Sequence, residues 1–157
     1  MPIANKTVRE LETEIVAVLH GLTPLDVETG EAGWVHHDDR TRTGGRTRLF
    51  SIAWSLDGFT PDGFWFAATE PGVQTSATLN IVTDYNIPAQ DLAEAAIRDH
   101  LQVQRALYAE LVRGATASSL MSVDTAGIDV EEAEDNGDVA RVTHSYDITF
   151  MHSWKHE

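Results

Sequence analysis

The fold is decided by residues 73–91, which read VQTSATLNIVTDYNIPAQD. From Val73 to Tyr85, mostly apolar positions alternate with mostly polar ones, and this period of two predicts a long strand with one polar face. Pro88 lacks the backbone N–H that a central strand needs, so the strand should end before it. Asp91 suits the first turn of a helix, where a carboxylate interacts favourably with the helix dipole. The sequence therefore predicts a strand that leads directly into a helix.

The helix that follows is predicted to run to Arg113, with Gly114 closing it. Apolar residues at helical spacing predict one face turned toward the sheet, and Ala93 and Ala96 would allow a close approach. The residues assigned to that face are Ile97, Leu101, Tyr108 and Leu111 or Val112.

Three further strands surround this strand–helix unit. Alternating residues predict them at Leu49–Leu56, Ser122–Val130 and Val139–His152. The dipeptide Asn136-Gly137 favours the type I′ turn of a hairpin, because both residues tolerate a positive φ. The last two strands should therefore pair antiparallel.

A first helix is predicted near the N-terminus, from Val8 to His20. Thr7 and Glu10 have the spacing of a capping box, in which each side chain accepts a hydrogen bond from the other residue's backbone amide. Gly21 is placed to end the helix in a left-handed conformation.

These elements follow in the order αββαββ and predict one α+β domain over residues 1–157. The expected architecture is a mainly antiparallel four-stranded sheet with both helices packed on one face. An apolar content of 42% in 157 residues is enough for a single core. The residues predicted to form it are Leu11, Ile15, Val18, Phe50, Ile52, Leu79, Ile81, Ile97, Leu101, Tyr146, Ile148 and Phe150.

Two charged segments stand apart from these elements. Residues 23–47 show no clear periodicity and predict a long loop or arm rich in arginine, and residues 131–138 predict an acidic hairpin tip. The simpler interpretation of each is a solvated loop, and the functional alternative is an interface that meets its opposite charge on a neighbouring subunit or partner. The candidate subunit or partner interface residues are Arg40, Arg42, Arg46, Arg48, Glu131, Glu132, Glu134, Asp135 and Asp138.

The charge balance limits the possible partners. A net charge of −14, from 25 acidic residues against 11 Lys and Arg, argues against a surface that wraps nucleic acid. An acidic surface would instead repel DNA and let it pass. The absence of cysteine excludes disulfides and thiolate metal sites. No stretch approaches the roughly 20 apolar residues of a membrane span, so we expect neither sequence-specific nucleic-acid binding nor a membrane partner.

One cluster of potential metal ligands occurs, HHDD at residues 36–39. Adjacent side chains of an extended chain point in opposite directions, so four in a row rarely converge on one ion. We therefore expect a polar loop there. A small metal-dependent enzyme remains the alternative, and it would use His36, His37 and Asp38.

The remaining histidines and acids do not predict catalysis either. His144 falls on the apolar side of the last strand and is interpreted as a core or edge histidine. Asp99 and His100 are consecutive residues of a helix and do not face each other. We expect no catalytic residue, no metal and no cofactor, and hence no enzyme.

Three short stretches resemble a known family. They are LFSIAW at residues 49–54, LNIVTDY at residues 79–85, and IRDH at residues 97–100 of the predicted helix. With the short first helix and the C-terminal hairpin, they make the chain similar to the tail terminator, or tail completion, proteins of long-tailed bacteriophages and gene transfer agents. Those proteins often carry a strand ending in tyrosine, a helix with a central Asp, and a C-terminal β-hairpin. The resemblance extends from about Val8 to Trp154.

The resemblance implies a structural virion protein at the head–tail interface. Such a protein forms a ring, typically of six subunits, that ends the tail tube and joins it to the head, with DNA passing through the lumen. Its partners would be further copies of itself, the tail tube protein and a head-completion or neck protein, and assembly would take place in the host cytoplasm. A different head-completion or neck adaptor is the main alternative.

Overall fold

The computed structural model describes residues 6–24, 33–37, 48–55, 60–67, 70–85, 87, 89–114, 118–132 and 140–153. Within these ranges, two helices and six strands follow in the order αββββαββ. Their bounds are α1 Val8–His20, β1 Trp34–His36, β2 Arg48–Trp54, β3 Thr60–Ala67, β4 Glu70–Tyr85, α2 Ala89–Leu107, β5 Leu120–Glu132 and β6 Ala140–Ser153.

The six strands form one mixed sheet, in which five lie side by side in the order β1–β2–β4–β6–β5. Along one edge of β4, β6 pairs from Gly72 to Tyr85. The other edge of β4 is shared end to end, since β3 pairs with residues 70–76 and β2 with residues 79–84. Only β1 is parallel to its neighbour, and the other pairings are antiparallel. The strand β4 is therefore the centre of the fold.

The structure confirms an α+β fold, and the prediction of four strands is too low by two. One extra strand, β1, lies inside the predicted loop of residues 23–47; its three residues are too few for an alternating pattern to be recognised. The other, β3, contains Pro61 and Gly63, which read as turn residues in the sequence. A shift in register falls between those two residues, and such a bulge accommodates a proline within a strand.

The start of α1 is as predicted, and its end differs. The Glu10 backbone N–H donates to Thr7 Oγ1 at 3.2 Å, and the Thr7 N–H donates to Glu10 Oε1 at 3.1 Å, which completes the capping box. Gly21 has φ −83° and ψ −5°, so the expected left-handed conformation is wrong. Its N–H donates to Val18 O at 3.1 Å, and the helix ends in a tighter right-handed turn.

The core lies on one side of the sheet, beneath both helices. Its main cluster joins α1, α2, the turn after α2 and strands β1, β2, β4, β5 and β6. Of the predicted core residues, Val18 and Ile52 are partly buried and pack against this cluster. Those that are fully buried in the core are Leu11, Ile15, Phe50, Leu79, Ile81, Tyr146, Ile148 and Phe150.

The predicted inner face of α2 is wrong in three positions, whereas Leu111 and Ala96 are buried as predicted. Ile97, Leu101 and Tyr108 are 52%, 44% and 43% exposed, so they lie on the surface. The true inner face combines aliphatic residues with two polar ones, Asp99 and His100, and the full set is Leu92, Ala96, Asp99, His100, Val103 and Leu107. The prediction left out the side of the helix that carries Asp99 and His100, although both side chains find hydrogen-bond partners inside the protein.

The C-terminal end of α2 contains a further irregularity. A π-helical turn, Tyr108–Val112, continues the helix, and Leu111 within it is buried. Gly114 follows, as predicted for the helix end, and a Cβ at this position would collide with the Glu110 carbonyl oxygen.

Candidate functional site

A buried ion pair connects α2 to β2. Arg48 is the first residue of β2 and shares the inward parity of Phe50, so its side chain enters the core. Its Nε lies 2.6 Å from Asp99 Oδ2, and the two side chains are 0% and 2% exposed. A residue buried within its own subunit cannot contact another subunit, so the expectation that Arg48 belongs to an interface is wrong.

Tyr85, the last residue of β4, joins the same carboxylate. Its hydroxyl donates to Asp99 Oδ2 at 2.5 Å, and the Arg48 guanidinium carbon lies 4.4 Å from the centre of its ring. Burial and the nearby charge of Asp99 raise the pKa of Tyr85, so the phenol stays protonated. The strand-terminal tyrosine and the helical aspartate noted in the sequence are therefore in direct contact.

Two histidines extend this arrangement from α2 to β6. His144 Nε2 lies 3.0 Å from the Tyr85 hydroxyl, and His144 Nδ1 lies 3.1 Å from His100 Nδ1. Burial, with contributions from His100 and Arg48, lowers the pKa of His144 to about 3. Burial also lowers the pKa of His100. Both imidazoles are therefore neutral at pH 7, and His144 is a core histidine as interpreted from the sequence.

The direction of each hydrogen bond follows from counting protons. The single Tyr85 proton goes to Asp99, so the Tyr85 oxygen must accept from His144 Nε2–H. Neutral His144 then has a bare Nδ1, which can only accept. His100 must therefore carry its proton on Nδ1 and donate it to His144. The result is one directed chain from His100 through His144 and Tyr85 to Asp99.

Tyr146 on β6 fixes the position of His100, the first member of the chain. Its hydroxyl donates to the His100 backbone carbonyl at 2.8 Å, and its ring stacks on the His100 ring with centroids 4.5 Å apart. We use the name polar network for Arg48, Tyr85, Asp99, His100 and His144. Through it, α2 is attached to β2, β4 and β6 by polar contacts in addition to the apolar core.

The polar network contains groups that act as acids and bases in many enzymes, but it is closed to solvent. Its side chains are 0–4% exposed, and His100 has the largest exposure. A buried and fully connected set of hydrogen bonds restricts how a helix can sit on a sheet. The polar network is therefore suited to fixing the orientation of α2 on the sheet.

The other predicted site residues lie apart from this network. His36 is in β1, where its ring meets Phe50 edge-on at 5.3 Å. Among the described residues, no three His, Asp or Glu side chains are grouped so that they could hold a metal ion. Glu131 is exposed on β5, and Glu132 ends that strand. The predicted residues outside the described ranges are Asp38, Asp39, Arg40, Arg42, Arg46, Glu134, Asp135 and Asp138.

A groove of about 510 Å³ lies between α1 and the C-terminal part of α2. Its lining is mainly apolar, and among the described residues its ionisable members are Glu14 and Glu110. Glu14 is already 2.6 Å from Lys6 Nζ. The groove therefore offers an apolar surface and no arrangement of acid, base and nucleophile.

An apolar surface lies on the side of α2 opposite Asp99, outside the buried face of the helix. Ile97, Leu101 and Tyr108 fall within about 40° on the helix and extend over about 16 Å; we call them the apolar stripe. The neighbouring Gln104 donates from its amide to Val123 O of β5 at 3.1 Å, which places the stripe beside β5. Val130 of β5 adds a fourth large apolar residue, 45% exposed.

The strand next to the apolar stripe lies at an edge of the sheet. Within the described ranges, β5 pairs with β6 alone, and its other side has no strand partner. An unpaired strand edge presents backbone donors and acceptors to any chain that approaches. The apolar stripe and this edge together form one surface suited to contact with another protein.

Sequence reasoning missed the polar network, although a signal for it was present. Arg48 has the parity of Phe50 and Ile52 on β2, and Asp99 lies on the stripe that Ala96 and Val103 define on α2. An inward arginine and an inward aspartate on different elements predict a buried pair. The sequence does not reveal that the two elements are neighbours, so the pairing itself required the structure.

No protein-family model matches the chain, and no curated protein matches it significantly. In the part of the chain that the structure describes, no helix is both long enough and apolar enough to cross a membrane.

Proposed function

We propose that this protein is a structural assembly subunit that forms a ring, in the manner of the phage tail terminator proteins that its sequence resembles. In this role it would end a tail tube and join it to a head. The ring would hold about six copies, by analogy with that family. The protein would have no catalytic activity and would require no cofactor.

The observation that carries this proposal is the apolar stripe beside the open edge of β5. Three large apolar side chains that are about half exposed on one helix face are unusual for a monomer and mark a site of protein contact. Fully burying one such side chain stabilises a complex by about 1.5–3 kcal/mol. Since these residues are already half buried, further burial of all three would contribute a few kcal/mol.

The charges on β5 favour a head-to-tail contact over a two-fold one. Asp124, Asp129 and Glu131 are exposed on this strand. A two-fold axis would bring two copies of β5 together, and all six carboxylates would then lie at one interface. A contact between β5 and a different, more basic surface avoids this repulsion, and repeated head-to-tail contacts close into a ring. The sequence supplies cations for such a surface at Arg40, Arg42 and Arg46.

The closed polar network supports a structural role rather than a catalytic one. The side chains that could exchange protons, Tyr85, His100 and His144, are almost completely buried. The links His100–His144 and Tyr85–Asp99 each connect α2 with the sheet, so the network positions the helix that carries the apolar stripe. We propose that its purpose is to present this stripe in a fixed orientation.

The proposed partners and location follow from the same role. The ring would contact a tail tube protein on one side and a head-completion or neck protein on the other. It would form in the host cytoplasm and remain in the virion. The net charge of −14 would keep DNA from adhering as it passes through the lumen.

The test is genetic complementation in the strain or phage that encodes the protein. Deleting the gene should give heads and tails that do not join, as seen by electron microscopy, and the wild-type gene should restore joined particles. Replacing Ile97, Leu101 and Tyr108 by Gln should abolish this restoration. A control with Glu94→Gln and Arg98→Gln changes an exposed pair on the same helix and should complement. Normal, joined particles in the deletion strain would refute the proposal.

A further inference from the structure

The two histidines of the polar network face each other through the same ring atom. Their Nδ1 atoms are 3.1 Å apart, a distance at which one nitrogen must donate and the other accept. The assigned tautomers satisfy this requirement only while His144 is neutral. If His144 gained a proton at Nδ1, the chain of hydrogen bonds would lose the acceptor for His100 Nδ1–H, and the His144 ring would carry a positive charge near Arg48.

The groups around this pair cannot neutralise an added proton. Arg48 of β2 approaches as a cation, and Tyr85 of β4 and Tyr146 of β6 are neutral phenols. The one carboxylate in this set, Asp99 of α2, already pairs with Arg48. Trp34 of β1 faces His144 edge-on at 6.3 Å and has no titratable group. Within the part of the chain that the structure describes, an added charge would therefore be buried without a counter-ion.

We propose that the His100–His144 pair makes the attachment of α2 to the sheet sensitive to mild acid, with proton uptake separating the two rings and releasing the helix. This is a property of the isolated subunit and does not depend on the proposed function.

The sign of the pH dependence follows from the lowered pKa values. Folding holds the pKa of His144 at about 3 and also lowers the pKa of His100, whereas an unfolded histidine has a pKa of about 6.5. The unfolded state therefore binds protons first. The stabilisation is complete above about pH 6.5 and is lost as the pH falls toward the folded values, by up to about tenfold in the unfolding equilibrium per pH unit for each histidine.

The net charge of the protein would give the opposite trend. At −14, mild acidification reduces self-repulsion and should stabilise the folded state. Loss of stability between pH 7.5 and 5.0 therefore separates the histidine pair from the general electrostatics of the chain.

The test is urea unfolding of three proteins across this pH range. For the wild type, we expect the unfolding equilibrium constant to rise by at least about tenfold from pH 7.5 to 5.0. His144→Gln keeps a donor and an acceptor without a titratable group, and its rise should be clearly smaller. The control, His152→Gln, changes a histidine on the same strand outside the network and should follow the wild type. A flat or falling constant in the wild type, or equal rises in wild type and His144→Gln, would overturn the proposal.

A second measurement on the wild type keeps the proposal testable if His144→Gln folds poorly. Nitrogen-15 NMR of labelled histidines should show the proton on Nδ1 of His100 and on Nε2 of His144 at pH 7.5. Amide hydrogen exchange, corrected for its intrinsic pH dependence, should show α2 losing protection in mild acid more than α1 does. If His144 becomes charged in the folded protein while α2 keeps its protection, the histidine pair does not control the helix.

Discussion

The two faces of α2 invert the usual distribution of residues. The inner face contains a buried carboxylate and a buried imidazole, Asp99 and His100, whereas the outer face exposes Ile97, Leu101 and Tyr108. A helix that only had to cover a sheet would place the apolar stripe inside, where it contributes most to stability. We infer that the inner face fixes the orientation of α2 on the sheet and that the outer face is placed for contact with another protein.

The inner face illustrates how buried polar groups select one geometry. Burying Arg48 and Asp99 costs desolvation energy that their attraction only partly offsets, so the pair is weak evidence for stability. However, Asp99 accepts from two different strands at once. A shift of α2 along the sheet would break both hydrogen bonds. An apolar contact of the same area would tolerate such a shift.

If the inner face fixes the position of α2, the largest loss of stability should follow substitution of Asp99. Asp99→Asn removes the carboxylate charge that pairs with Arg48, and because this breaks a buried ion pair we expect a loss of about 3–5 kcal/mol in the free energy of unfolding. Urea unfolding at pH 7 measures it. Glu94→Gln breaks an exposed ion pair on the same helix and should cost only about 0.3–0.5 kcal/mol. Equal losses in the two variants would mean that the inner face has no special role.

A second variant separates the cost of an unpaired charge from the contribution of the pair. Asp99→Leu alone removes the carboxylate that pairs with Arg48, whereas Arg48→Met combined with Asp99→Leu removes both charges. We expect the double variant to be more stable than the sum of the two single changes predicts, with a coupling energy of about 0.5–3 kcal/mol in a double-mutant cycle. Strict additivity would show that the two side chains do not depend on each other.

Much of the fold could be predicted because its elements follow simple patterns. The capping box of Thr7 and Glu10 gave the start of α1, and the alternation ending at Tyr85 gave the end of β4. Strand β1 could not be predicted, because three residues carry no period and their pairing with β2 is a tertiary contact. Strand β3 was obscured by the turn residues within it.

The site was less accessible from sequence, for a specific physical reason. Patterns of polarity assume that charged residues face water, and the assumption fails where two charges find each other inside the protein. Asp99 and Arg48 are far apart in sequence and on different elements, so the inward position of each within its own element does not reveal that the two are partners. The same assumption assigned Ile97 and Leu101 to the core, when their exposure is the main sign of a contact surface.

The smallest effect on stability is expected for the outer face. Replacing Ile97, Leu101 and Tyr108 by Gln keeps good helix formers at all three positions. Because each side chain is only about half buried, each change should lower the free energy of unfolding by no more than about half of the 1.5–3 kcal/mol of a fully buried side chain. Self-association measured by analytical ultracentrifugation should nevertheless fall. A variant that unfolds easily would show instead that these residues belong to the core.

The most direct test of the two-face account uses the protein's tyrosines, of which there are three. Tyr85 and Tyr146 are buried beneath α2, and Tyr108 is exposed on its outer side. Nitration mapped by mass spectrometry should modify Tyr108 readily in the free subunit and spare the other two. After assembly, Tyr108 should become protected as well. Reaction of Tyr85 or Tyr146 as fast as Tyr108 in the free subunit, or unchanged reaction of Tyr108 in the assembled particle, would contradict the account.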